Sequence, residues 1–285
     1  MGLITVIGRG NSGTRVMSHT LSQSGVFMGW QQNPAGDLMP PDPFYEACRE
    51  MAQHISLVDV DWDVTAAIES PPSERFCQLV FRYLQPILTS GSKNRGWKLP
   101  ETTLVLPWIT QLMPEARCIW WVRDPRDNIL SKHKTDDLSF YNIPTPDVDA
   151  LLRTRYADLR DMAIARGSVP SPSVPGADAS WSALDELRVR LRRALSWKFQ
   201  YDLIEATPKP KSWLMVRYED FVTDQRRVLK HLSRFVQVPL VRVPVSSEAV
   251  GRWQRDDFVT SFDFLERPIA ELGYNGVTSR RRGLW

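Results

Sequence analysis

The chain is predicted to fold as α/β, a single-domain three-layer sandwich with a central parallel sheet flanked by helices. Three short apolar runs carry that expectation: LITVI at residues 3–7, CIWWV at 118–122 and WLMV at 213–216. Each has the length and β-branched or aromatic content of a buried strand, and each is followed by polar residues and then a segment with helical spacing. That alternation is what a parallel sheet covered on both faces by helices requires. At 285 residues the chain is long enough to bury a substantial core in one domain, residues 1–285.

The helix after the first strand is expected to start near Ser12 and to turn Val16, Met17 and Leu21 inward. After the second strand, Asp124 is placed to cap a helix and Pro125 to occupy its first position, where the missing N–H costs nothing. After the third, FVTDQRRVLKHLSRFVQV puts Val228, Leu229, Leu232, Phe235 and Val236 at helical spacing. Residues 181–206 read as a long amphipathic helix that packs Leu184, Leu187, Leu191, Leu195 and Tyr201 on the sheet. The stretch before it, 166–180, is rich in Ser, Pro and Gly, and is expected to be a long loop or lid.

Hydrophobic residues at 42% and charged residues at 24% are ordinary for a water-soluble domain, and no apolar run is long enough to span a bilayer. A net charge of +3 gives no basic stripe of the kind that reads nucleic acid. Three unclustered cysteines, Cys48, Cys77 and Cys118, argue against a disulfide framework or a zinc site, and MGLITVIG lacks the features of a secretion signal. A cytoplasmic protein is expected.

VIGRGNSGTR, directly after the first strand, spaces Gly8 and Gly13 as a nucleotide-binding loop does, but Thr14 and Arg15 stand where such a loop needs Lys and a metal-binding hydroxyl. A strand that turns into a helix here still presents unpaired backbone N–H groups to an anion. The three strand ends carry Gly8, Arg123 and Arg217 and no acidic metal ligand, so a cationic phosphate site without a metal is expected. In WWVRDPRDNILSKHK, Arg123 ends the second strand and Ser131 follows eight residues later. On a helix from Pro125, Ser131 would lie roughly 9 Å along the axis, where it and Arg123 can grip one phosphate.

RDPRDNILSKHK resembles the 3′-phosphate-binding segment of the sulfotransferases that use 3′-phosphoadenosine 5′-phosphosulfate (PAPS), and GRGNSGTR resembles their 5′-phosphosulfate loop. RYEDF at 217–221 with the helix after it, and GWKLPE at 96–101, are similar to two further elements of that family in the same order. The resemblance implies a P-loop-like fold, PAPS as co-substrate, no metal, and transfer of a sulfonate group to a hydroxyl or amine of a small-molecule, sugar or lipid acceptor. It places the donor on Arg9, Gly10, Asn11, Ser12, Gly13, Thr14, Arg15, Arg123 and Ser131. It also places a late basic-Gly segment, Arg281, Arg282 and Gly283, over the 3′-phosphate.

Displacement at sulfur builds negative charge on the leaving oxygen and requires the acceptor to lose a proton, so cations and a base are both needed. The family's basic residue before Ser-Gly-Thr is replaced by Asn11, which leaves Arg9 and Lys98 as the first-ranked cations, with Arg15 either turned in or paired on the surface. The usual bases are absent, since Gln31, Gln32 and Pro100 occupy their positions. Glu101 is the preferred candidate because Lys98, close in sequence, would keep it ionised; Asp37 follows, ahead of Glu46 and His133. The stretch 138–180 is expected to form the acceptor pocket. A P-loop small-molecule kinase and an inactive PAPS-binding module are the alternative readings.

Overall fold

The computed structural model describes residues 2–170 and 180–275. Four parallel strands form its main sheet: β1 (Gly2–Ile7), β2 (Asn94–Lys98), β3 (Arg117–Val122) and β4 (Trp213–Arg217), in the order β2-β1-β3-β4. Three of them are the expected runs. The fourth, β2, overlaps GWKLPE, which the sequence marks by its resemblance to a family element and not by strand character. Its residues NRGWK carry little strand propensity, and its pairing with β1, Ile4 beside Gly96 and Val6 beside Lys98, supplies what propensity does not. Gly96 is required there, since a Cβ on it would come within 2.3 Å of the Ile4 carbonyl oxygen.

Strand alternation sorts the core into two layers. On one face Ile4, Val6, Ile119, Trp121 and Val216 pack with Met17 and Leu21 of α1 (Thr14–Gln23) and with Val228, Leu232 and Val236 of the last long helix, Gln225–Val236. On the other, Ile7, Trp97, Trp120 and Val122 meet α2 (Asp42–Ala52), α3 (Glu74–Leu88) and α4 (Ala183–Ala206). α4 buries Leu187, Leu191, Leu195 and Tyr201 as its spacing predicts, and Leu184, at its first turn, only in part. It begins at Ala183 because residues 180–182 pair instead with 168–170 as a short antiparallel ribbon.

The chain runs from β1 outward to β2 on one side, then crosses to β3 on the other. The loops leaving β1 and β3 therefore diverge at the carboxyl edge of the sheet, the switch point where α/β sheets leave a crevice for ligands. Two local expectations are corrected here. α1 starts at Thr14, with Gly13 as its cap at φ 93°, because the turn out of β1 uses Asn11 and Gly13 in left-handed conformations. The helix after β3 is one turn, Pro125–Asn128, so Ser131 lies beyond its end and is positioned by a turn instead of a helix face.

Candidate active site

The loop from Gly8 to Gly13 is fixed by contacts that tolerate no side chain. A Cβ on Gly10 would lie 2.0 Å from the ring of His133, and one on Gly13 2.6 Å from the ring of Tyr218. The Trp121 indole N–H donates to the Ser12 carbonyl at 3.1 Å, and the Gly8 amide donates to Thr103 Oγ1 at 3.0 Å. Ser12 Oγ donates to the Arg9 carbonyl at 2.6 Å, so its hydroxyl proton already closes the turn. The Val16 amide closes on the Gly13 carbonyl at 2.9 Å, and the amides of Thr14 and Arg15 before it have no intrahelical partner.

Arg9 is not the free cation expected of it. Its guanidinium is buried, ion-paired with Asp136, and donates to the carbonyls of Gly10, Asn128 and Ser131. Swinging it toward a ligand would leave Asp136 buried without that cation. Arg9 therefore ties the β1 loop to the segment after β3. Asn11 is exposed, and its amide donates to the Lys132 carbonyl at 2.5 Å, reinforcing the same junction.

Lys98 and Asp37 come together from the end of β2 and the loop before α2. Their side chains form a buried pair at 2.5 Å, and Asn33 donates to the second Asp37 oxygen at 2.8 Å. Burial pulls the Lys98 ammonium below its ordinary value, against the pull of Asp37, and the charge of Arg15 acts in the same direction as burial. Arg15 is exposed and makes no ion pair among the described residues, and its charge is felt at Lys98. The expected Lys98–Glu101 partnership is corrected: the carboxylate that Lys98 meets is Asp37.

Glu101 is buried a turn later, in Pro100–Val105, and accepts from the Tyr141 hydroxyl at 2.7 Å. Its other oxygen is buried without a hydrogen-bond partner, and burial pushes its carboxyl above the usual range. Burial outweighs the charges around it, Lys134 among them. Burial, then the charge of Arg9, pushes His133 down to about 4, so it is a neutral ring that caps the turn at Lys134–Asp136. Glu46 lies on the exposed face of α2, paired with Arg49 at 2.5 Å.

Arg123 donates to the carbonyls of Asn11, at 3.2 Å, and Ala249, and the cation that meets Ser131 is Arg252. Arg252 donates from Nη2 to Ser131 Oγ at 2.8 Å and to the Asp127 carbonyl at 2.9 Å. Asp127, fully buried, accepts from the amides of Gly251 and Trp253 at 2.8 and 2.9 Å and lies 3.4 Å from Arg123. Trp253 covers Arg126, whose guanidinium carbon is 3.8 Å from the ring centre. Sequence reasoning missed Arg252; the signal was VGRW at 250–253, a late glycine followed by a cation and an aromatic. Arg281, Arg282 and Gly283, to which that role was given, lie outside the described residues.

A sequence profile of the sulfotransferase family matches residues 4–175, more than half the chain, including the loops after β1 and β3. The chain belongs to the sulfotransferase family. No curated protein matches it. Among solved structures it is similar to the sulfotransferase domain of the Synechococcus PCC 7002 olefin synthase, with a TM-score of 0.50 and 13% identity over 97% of this chain and 96% of that one. It is also similar to a sulfotransferase from Alicyclobacillus acidocaldarius, with a TM-score of 0.44 and 14% identity, covering 96% and 92% of the two chains. A mouse sulfotransferase complexed with PAP gives a TM-score of 0.31 at 15% identity, covering 97% and 67%. The first of these shows that the fold is shared.

Beside the loop junction the sulfotransferase holds a cavity of about 1080 Å³, at the upper end for a pocket that encloses a small molecule. Its walls come from residues 132–140, from 145–149 and from α4, with Trp181 at its edge. The stretch expected to line the acceptor pocket thus borders a cavity whose near wall, His133 and Asp136, is the wall that Gly10 and Arg9 touch. Among the described residues no helix is long and apolar enough to cross a membrane.

Proposed function

We propose that this sulfotransferase moves a sulfonate group from PAPS to a hydroxyl-bearing acceptor by in-line displacement, without a metal. The observation that carries the proposal is that Arg123 and Arg252, the latter bonded to Ser131, both contact Asp127. Burial, and next the charge of Arg123, holds the Arg252 guanidinium below its ordinary value. Both guanidinium groups keep a buried Nε without a hydrogen-bond partner. Asp127, whose carboxylate lies beside Arg123, is already bonded to two backbone amides. Two cations so placed are relieved by a phosphate that both can reach, and the 3′-phosphate is the group that separates PAPS from a common nucleotide.

In this reading the amides of Gly10, Asn11, Gly13 and Thr14 hold the 5′-phosphosulfate at the start of α1. Lys98 and Arg15 place positive charge on the bridging oxygen that leaves with adenosine 3′,5′-bisphosphate. Asp37 takes the acceptor proton as the acceptor oxygen bonds to sulfur and the sulfur–oxygen bond to the donor phosphate breaks. Asp37 is favoured over Glu101 because it is paired with Lys98, whereas burial favours the protonated form of Glu101. Arg9 supports the loop and does not act on the leaving oxygen. The range 138–180 supplies part of the acceptor pocket within a single domain.

Thermal denaturation tests the donor site. Adenosine 3′,5′-bisphosphate is expected to raise Tm in the presence of a chelator, and adenosine 5′-phosphate to raise it much less. Labelled PAPS then tests transfer. Equal shifts from the two nucleotides, or a strict need for magnesium, would overturn the reading.

A further inference from the structure

The carboxylates around the cavity beside the loop junction are already engaged. Asp136 is paired with Arg9, Glu186 with Arg190 at 2.7 Å, Asp149 with Arg188 at 2.8 Å, and Asp147 with Arg153 at 3.9 Å. Asp137 accepts from Ser139 Oγ at 2.5 Å and from the amide of Phe140. Of the cations on the same walls, Arg193 lies 3.9 Å from Asp136, and the other three are not matched in this way. Among the described residues Lys132 and Arg192 form no ion pair, and Lys134 lies over the rings of Tyr45 and Phe140, at 4.2 and 4.3 Å, without a carboxylate. Arg192 acts on Asp149 only at longer range, beyond the Arg188 contact.

The rest of the wall is apolar, with Leu138, Phe140, Val148, Val189 and Leu195 between the charged groups. A neutral hydroxyl compound would use that surface and leave the cations to water. A compound with an apolar body and a carboxylate would use both. We infer that the acceptor of this sulfotransferase is an amphipathic hydroxy acid, its apolar body against Phe140 and Leu195 and its carboxylate between Lys132 and Arg192. The inference rests on the sulfotransferase reading for the hydroxyl and on the cavity alone for the acid.

Calorimetric titration of the full chain with p-hydroxyphenylbutyrate and its methyl ester tests this, with and without adenosine 3′,5′-bisphosphate. The acid is expected to bind about tenfold more tightly than the ester, and the preference to collapse in Arg192→Gln and in Lys132→Gln, both exposed positions whose replacement leaves the core intact. Equal binding, no binding of the acid, or a preference that survives both substitutions would overturn the inference. Labelled PAPS separates the two readings. An acid preference without sulfonate transfer removes the enzymatic reading and leaves the acid site standing, whereas transfer to the ester as efficient as to the acid removes the acid site and leaves the activity.

Discussion

Arg252 donates a hydrogen bond to Ser131 Oγ at 2.8 Å across 121 residues of chain, and in doing so brings its charge against that of Arg123. An anion bound there relieves that opposition. Arg252→Ala is accordingly expected to weaken binding of adenosine 3′,5′-bisphosphate by about 2–4 kcal/mol while changing adenosine 5′-phosphate binding little. Calorimetry with the two nucleotides measures the difference, and equal losses would place Arg252 outside the 3′-phosphate site.

The buried pair of Lys98 and Asp37 gives a second expectation. Asp37→Asn should lower kcat by a factor of about 10²–10⁴, the range for loss of a general base, while the affinity for adenosine 3′,5′-bisphosphate changes by only a few-fold. Glu101→Gln keeps the shape of its site and the bond from Tyr141, and should lower kcat much less. Steady-state rates of the two variants decide between the carboxylates, and a larger loss in Glu101→Gln would reverse their ranking.

Glu219 makes stability depend on pH in an unusual sense. Its carboxyl accepts from the Asp124 amide at 3.0 Å and from the Tyr274 hydroxyl at 2.8 Å, yet burial raises it from 4.5 to about 7. The folded chain thus holds this proton where the unfolded chain has lost it. The contribution is fully present below 4.5 and is lost as pH rises through about 7, a fall of up to about 3 kcal/mol. Denaturant unfolding across that range should show the loss in the wild type and not in Glu219→Gln. Parallel profiles would show that Glu219 does not carry it.

Gly10 and His133 form a steric pair that a double substitution can resolve. Gly10→Ala places a methyl group 2.0 Å from the His133 ring and should cost about 1–3 kcal/mol, whereas adding His133→Ala should recover most of it. Additive losses in the double variant would mean that Gly10 is needed for another reason. The same ring, pushed down to about 4 chiefly by burial, should stay neutral in NMR titrations down to about pH 5.

The residues alone determined the layers of this protein and the glycine turn that leaves its first strand. Burial on a sheet face needs continuous apolar runs, and a helix packed on it needs apolar spacing near 3.6, so β1, β3, β4, α4 and the Gln225–Val236 helix were legible as patterns. Gly8 and Gly13 were legible for a similar reason, because backbone turns are local events. β2 was not, since its stability comes from pairing with β1 more than from its own residues. Tertiary structure alone decided which charge faces which. Arg9 meets Asp136 across 127 residues, Lys98 meets Asp37 across 61, and Arg252 reaches Ser131 across 121. Electrostatic pairing depends on distance in space and on local exclusion of water, and neither is written in the spacing of residues along the chain.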